Sequence, residues 1–102
     1  MELSFYTNHP SEGGGYGAIT KSGYDISNTI KYQGMGIVAS DNKQLPLYSI
    51  IEIEGLGKYI VLDSGGKITK NKLDVLVSTR KEAFERGRYK AKVSIIRIGK
   101  GD

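Results

Sequence analysis

The chain has 102 residues, a formal net charge of +4 and a hydrophobic content of 38%. This length provides one modest hydrophobic core, so we expect a single domain over residues 1–102. The absence of cysteine excludes disulfides and cysteine-ligated zinc, and a single histidine argues against a histidine-based metal site, so we expect neither a metal nor another cofactor.

The predicted elements are mainly short strands, because apolar and polar residues alternate and β-branched residues recur. We predict strands at 3–7, 18–20, 36–39, 48–53, 58–62, 73–77 and 89–98, with a glycine-rich loop at 8–17 and a hairpin turn at 54–57. Ser78 or Thr79 is predicted to cap a short helix that runs through Arg86 and ends at Gly87. So many short strands in one small domain predict an all-β fold with one short helix, closed into a barrel.

Charge is distributed unevenly along the chain. Residues 1–66 contain four lysines against seven acidic residues (net −3), whereas residues 67–101 contain eleven lysines and arginines against three acidic residues (net +8). A basic C-terminal third attracts polyanions such as nucleic acid, teichoic acid or peptidoglycan carboxylates. The same pattern is typical of solvated strand faces, so charge alone does not identify a partner.

Three aspartates lie at the ends of apolar runs or inside them: Asp41, Asp63 and Asp74. An ionised carboxylate in such a place is costly unless it is paired or hydrogen-bonded. Strand ends in a small barrel can converge, and neighbouring carboxylates with partial burial raise the pKa of one of them, which makes it a proton donor near neutral pH. Each aspartate also fits an ordinary turn. Asp74 fits that explanation least, because no Gly, Pro or Asn adjoins it.

The order and spacing of these motifs resemble the 3D domain, a family named for three aspartates. The resemblance rests on Ile37-Val38-Ala39-Ser40-Asp41, Leu45-Pro46-Leu47, Leu62-Asp63-Ser64-Gly65-Gly66 and Asn71-Lys72-Leu73-Asp74-Val75. It extends to the first strand and to the closing helix and strand. Two positions differ from the family pattern: Tyr48-Ser49 stands where Gly-Thr is usual, and Lys70 replaces a common Gly.

The resemblance implies a six-stranded double-psi β-barrel with one short helix, related to MltA-type lytic transglycosylases and to muralytic proteins of Gram-positive bacteria. Such enzymes cut the bond between N-acetylmuramic acid and N-acetylglucosamine without water and form 1,6-anhydromuramic acid. Asp74 matches the family's acid/base and Asp63 its second essential aspartate, so both are predicted to be catalytic. The residues predicted to bind the glycan or orient the site are Asp41, Tyr6, Thr7, Thr20, Gly65, Gly66 and Lys67.

Two other functions stay open: a non-catalytic barrel that binds wall carbohydrate, and a small nucleic-acid-binding barrel that uses the seven tyrosines and the basic third. The tyrosines are scattered, which argues against nucleic acid. The resemblance implies the peptidoglycan glycan strand as the partner, with other phage tail or wall proteins as further partners. No signal-peptide pattern or membrane-spanning run is present in the sequence. We therefore expect no membrane insertion, and an extracytoplasmic or virion-associated module of a longer exported protein or a phage tail.

Overall fold

The computed structural model describes residues 1–7, 20, 22–26, 29–41, 44–64 and 71–100. This part of the chain forms eight strands and one helix: β1 (Glu2–Thr7), β2 (Lys31–Tyr32), β3 (Met35–Ser40), β4 (Ile50–Ile53), β5 (Gly57–Ser64), β6 (Lys72–Val77), α1 (Arg80–Arg86), β7 (Tyr89–Lys90) and β8 (Val93–Arg97). The prediction of an all-β chain with one short helix is confirmed. The expected count of six strands is too low.

All the strands belong to one mixed sheet, in the order β7-β1-β6-β3-β5-β4-β8, with β2 paired to β3. Strands β1 and β6 are parallel, β3 and β5 are parallel, and β3 runs antiparallel to β6 between the two pairs. Strands β7 and β8 lie at opposite ends of this order, although only Ala91 and Lys92 separate them in the chain.

That short connection requires a curled sheet. In a flat sheet β7 and β8 would be about 29 Å apart, at about 4.8 Å for each pair of neighbouring strands. The chain from Lys90 to Val93 reaches at most about 11 Å between Cα atoms. The sheet must therefore bend until its two edge strands come close together.

Buried apolar side chains form two clusters, one on each face of the central strands. The larger core contains Leu3, Val38, Leu45, Leu47, Ile51, Ile53, Val61, Leu73 and Val75. The smaller core contains Ile26, Ile37, Ile60, Leu62 and Leu76. Because side chains alternate between the faces of a strand, neighbours such as Ile37 and Val38 belong to different cores.

The helix begins and ends as its capping residues predict. The Thr79 hydroxyl accepts a hydrogen bond from the Glu82 amide at 3.0 Å, which satisfies one of the free N–H groups of the first turn. Gly87 ends the helix with a φ of 63°, and its amide donates to the Ala83 carbonyl at 3.3 Å. Within the described part of the chain, neither this seven-residue helix nor any other is long and apolar enough to cross a membrane.

The predicted strand over 89–98 is wrong as a single element. It divides into β7, which pairs with β1, and β8, which pairs with β4. Between them the Ala91 amide donates to the Met1 carbonyl, and the Lys92 carbonyl accepts from the Glu54 amide. The residues keep the alternation of an extended chain while their pairing partner changes, so periodicity alone cannot reveal the division.

Other strand boundaries also differ from the predictions. The β2–β3 hairpin was not predicted, although Gln33 and Gly34 form its two-residue turn with φ values of 50° and 82°. The predicted strand 48–53 begins only at Ile50, because Tyr48 has a φ of 73°. Thr20 is not in a strand, whereas Ala18, Ile19 and the predicted loop at 8–17 lie outside the described residues.

Candidate functional site

Two of the three aspartates flank a single residue of the central strand. Ala39 of β3 pairs with Asp63 of β5 on one side and with Asp74 of β6 on the other. Residues that are paired across a ladder project to the same face, so both carboxylates stand beside the Ala39 methyl group. Two strand spacings separate their Cα atoms by about 9.5 Å. Both aspartates are half-buried.

A bulge in β5 aims Asp63 toward this face. Val38 pairs with Val61, but the next residue of β3, Ala39, pairs with Asp63, so Leu62 is an extra residue in β5. Without the bulge, Asp63 would follow Val61 in alternation and point to the apolar face of the larger core. The sequence predicted that Asp63 follows its strand, whereas the structure places it within β5.

Strand β1 adds two polar side chains on the same face. Ser4 pairs with Asp74, and the Ser4 hydroxyl donates a hydrogen bond to Oδ1 of Asp74 at 3.2 Å. Tyr6, two residues further along β1, shares this face and packs against the smaller core. Ser4 was not predicted as a site residue. It lies two residues before Tyr6 in the predicted strand 3–7, and this spacing indicates that both side chains share one face of the sheet.

The Tyr6 hydroxyl is buried near both carboxylates. It has no hydrogen-bond partner among the described residues. Burial raises the pKa of Tyr6 well above its ordinary value, and the negative charges of Asp63 and Asp74 raise it further. The phenol therefore stays protonated at neutral pH and can act there only as a neutral donor or acceptor.

A short segment around Thr20 packs against β5 just before Asp63. The Ser22 amide donates to the Leu62 carbonyl at 3.0 Å, which fixes this segment beside the strand. Thr20 is buried, and its Oγ1 accepts from the Tyr24 amide at 3.2 Å and lies 2.8 Å from the Ser22 hydroxyl. Thr20 thus closes a local turn next to the site. Ser22, which lies beside β5 in the same turn, was not predicted as a site residue.

The remaining predicted site residues lie further from this pair or outside the described chain. Asp41 follows β3 directly, two residues beyond Ala39, and its carbonyl accepts from the Gln44 and Leu45 amides in a turn. Thr7 is buried at the end of β1, on the face opposite to Tyr6 by strand alternation. The predictions at Gly65, Gly66 and Lys67 fall on residues that the structure does not describe.

The arrangement has the groups that proton transfer requires. Two half-buried carboxylates, one held by a serine hydroxyl, share a face with a neutral phenol. A carboxyl group in such a partly desolvated setting can donate and then recover a proton. No group of three metal-ligating side chains occurs among the described residues.

Comparisons with known proteins agree with the resemblance. A family model described as "3D domain" matches residues 36–99, which include the three aspartates. The "SPbeta prophage-derived uncharacterized protein YorM" of Bacillus subtilis (strain 168) is 38% identical over 78 residues, 74% of this chain and 33% of that protein. Two further proteins of the same strain are 30% identical to this chain. For "Cell wall-binding protein YocH" the alignment covers 88% of this chain and 30% of that protein. For "Putative cell wall shaping protein YabE" it covers 76% of this chain and 18% of that protein.

The matching segment is a minor part of each relative. The alignments cover a third or less of the length of these three proteins.

Proposed function

The chain belongs to the 3D domain family, and from that membership we propose that it acts on the bacterial cell wall as a lytic transglycosylase. The substrate is the bond between N-acetylmuramic acid and N-acetylglucosamine in the glycan strand. The observation that carries the proposal is the placement of Asp63 and Asp74 on either side of Ala39, with both side chains on one face of the sheet.

In the proposed reaction, Asp74 is the acid and then the base. Its protonated carboxyl group donates to the glycosidic oxygen, and the N-acetylglucosamine 4-hydroxyl leaves as the bond to muramic C1 breaks. The muramic C6 hydroxyl attacks C1 and returns its proton to the Asp74 carboxylate, which closes the 1,6-anhydro ring. The nucleophile belongs to the substrate and is already close to C1, so one carboxyl group can suffice.

The neighbours of Asp74 have supporting roles in this proposal. Ser4 holds one carboxylate oxygen of Asp74 and so fixes the direction in which the proton is delivered. Asp63 provides a second negative charge on the same face, which favours the positive charge that develops on the sugar. Asp41 orients the site from the end of β3, and Tyr6, Thr20, Gly65, Gly66 and Lys67 are proposed to contact the glycan. Thr7, which is buried on the opposite face, is proposed to support the end of β1 beside the site.

The same family membership supports a finer proposal for the fold and for the cellular setting. The two parallel strand pairs around an antiparallel β3–β6 pair support a double-psi β-barrel that forms one domain over residues 1–102. The similarity to a prophage-derived protein supports a phage tail-associated module that works in the virion or outside the cytoplasm. Its partners would be the glycan strand and other tail or wall proteins.

A non-catalytic wall-binding barrel is the second candidate. It is favoured by the similarity to a relative that is named as a cell wall-binding protein. A binder does not require Asp74 to be ionisable, whereas the enzyme does.

The test is to incubate peptidoglycan sacculi with the protein and with Asp74→Asn, and to identify the soluble products by mass spectrometry. We expect products that end in 1,6-anhydromuramic acid, and their loss in the variant because an amide cannot donate and recover the proton. The control is Glu52→Gln, which removes an exposed carboxylate from β4 and should leave the products unchanged. Reducing-end products, larger by one water, would contradict the transglycosylase. Sacculi that are bound but not cut would favour the binder.

A further inference from the structure

The structure describes the side chains of eight of the eleven basic residues in the C-terminal third, and these eight form two groups. Three are in ion pairs: Lys72 with Glu2 at 3.7 Å, Lys81 with Glu85 at 3.8 Å, and Arg86 with Glu82 at 3.2 Å. Five others are exposed and form no ion pair within the described part of the chain. We call them the basic edge: Arg88, Lys90, Lys92, Arg97 and Lys100.

The basic edge has no acidic residue within it. Residues 88–100 contain five cations and no aspartate or glutamate. The nearest carboxylates belong to neighbouring segments: Glu2 lies opposite Lys90 but pairs with Lys72, Glu52 lies opposite Ser94, and the Glu54 amide donates to the Lys92 carbonyl. Positive charge along this segment is therefore only partly neutralised by the protein.

Strand alternation arranges three of the cations in a row. Arg88, Lys90 and Lys92 occupy every second position of an extended segment and are exposed. The residues between them contact the rest of the protein: Tyr89, itself partly exposed, stacks on Phe5 with ring centroids 5.9 Å apart, and Ala91 packs against the larger core. Charges at alternate positions of an extended chain are about 6.6 Å apart, so the row presents three positive charges over about 13 Å.

The row is exposed to solvent. Strand β7 pairs with β1 and strand β8 with β4 through backbone groups, and the side chains of Arg88, Lys90 and Lys92 stay exposed beside these pairings. A linear partner can lie along this rim. The arrangement does not favour a second copy of the chain, because pairing β8 with itself would bring Lys92 and Arg97 of each copy together.

We propose that the basic edge is a docking surface for a linear phosphate-bearing polymer of the cell wall, of the polyol-phosphate type. The proposal rests on the proposed cell-wall function and extends it to a second wall component. Regularly spaced phosphates complement regularly spaced cations, and each neutralised phosphate releases a counterion. A nucleic acid fits less well, because residues 88–100 contain a single aromatic residue, Tyr89, and one face of its ring is already stacked on Phe5.

The experiment measures binding to purified poly(glycerol phosphate) as a function of salt concentration. The test variant is Arg88→Gln/Lys90→Gln/Lys92→Gln, and the matched control is Lys31→Gln/Lys58→Gln/Lys81→Gln, which removes three exposed cations elsewhere. Each phosphate contact contributes roughly 0.7 to the slope of log affinity against log salt concentration. We therefore expect the test variant, which removes three cations, to reduce this slope by about two. The control variant should keep the slope of the unchanged protein.

Three results would overturn the proposal. Equal losses in the two variants would mean that net charge alone attracts the polymer. Equal binding to sacculi with and without their phosphate polymers would mean that these polymers are not recognised. Tighter binding to a single-stranded oligonucleotide with the same number of phosphates would make nucleic acid the partner.

Product release from phosphate-stripped sacculi separates this proposal from the enzymatic one. On that substrate the basic edge has no polymer to bind, so the test variant should release products as the unchanged protein does. If the unchanged protein releases no products from stripped sacculi, the transglycosylase proposal is contradicted. The result on polymer binding would stand independently of that outcome.

Discussion

Replacing Tyr6 with phenylalanine removes one buried oxygen atom and is expected to stabilise the protein. The Tyr6 hydroxyl has no hydrogen-bond partner among the described residues, and its oxygen is inaccessible to solvent. A buried polar group without a partner costs about 1–3 kcal/mol. Because phenylalanine keeps the ring and its packing against the smaller core, Tyr6→Phe should raise the free energy of unfolding by about 1–2 kcal/mol.

The assay is urea unfolding followed by circular dichroism, with thermal melts as a second measure. A gain of 1 kcal/mol in a domain of this size raises Tm by about 4–8 °C. The matched control is Tyr24→Phe, because the Tyr24 hydroxyl donates to the Lys31 carbonyl at 3.1 Å. The control should be neutral or lose up to about 1 kcal/mol. Destabilisation by Tyr6→Phe would refute the reasoning, since it would show that the hydroxyl has a partner in solution.

Alkaline pH gives an independent measurement on the same variant. The pKa of Tyr6 is raised above 10.0 in the folded protein by burial and by two nearby carboxylates. Above pH 10 the unfolded chain loses this proton while the folded chain keeps it, so stability falls as pH rises, by up to about 1.4 kcal/mol per pH unit. Tyr6→Phe should remove this part of the decline. Tyr59, whose pKa is also raised chiefly by burial, contributes equally to both proteins.

The gain in stability should be accompanied by a loss of function. A buried hydroxyl between two carboxylates is an unfavourable arrangement that a site can retain for its chemistry. We therefore expect Tyr6→Phe to release less product from sacculi than the unchanged protein. Unaltered release would mean that the hydroxyl is not needed by the proposed reaction.

Substitutions at three further positions test the fold. Thr79→Ala removes the helix cap and should cost about 1 kcal/mol in urea unfolding, whereas Thr79→Ser should cost little. At Gln33, where φ is 50°, Asn should stabilise the β2–β3 turn and Val should destabilise it by about 1–2 kcal/mol; equal stabilities would contradict the observed turn. Gly36→Ala places a Cβ against the Tyr59 ring and should cost about 1–3 kcal/mol, and an unchanged Tm would show that the ring moves aside freely.

Local signals in the sequence were sufficient for several elements. The helix could be bounded because Thr79 and Gly87 act within one turn of the residues that they cap. Strands β3 and β6 could be located because their apolar residues are buried on both faces of the sheet and form short uninterrupted runs. These features depend on neighbours in the chain and not on distant partners.

Pairing between distant strands could not be predicted in the same way. The bulge at Leu62 depends on how β5 aligns with β3, and no turn residue marks it. The division of 89–98 into two strands depends on a change of partner from β1 to β4. For the site, the sequence singled out Asp63, Asp74 and Tyr6, but the contact of Ser4 with Asp74 required the β1–β6 register.

The parallel pairing of β1 with β6 has a consequence for biosynthesis. Glu2 pairs with Lys72, so β1 must wait after its synthesis for a partner that is made 70 positions later. At about 5–20 residues per second, that wait lasts roughly 4–14 seconds, and pairing at such long separation also folds slowly. Ser4 cannot meet Asp74 before then. A truncated chain that ends before β6 would keep the residues that pair β3, β4 and β5 but would leave β1 without its parallel partner and lack the candidate site, so the proposed activity would arise only in a nearly complete domain.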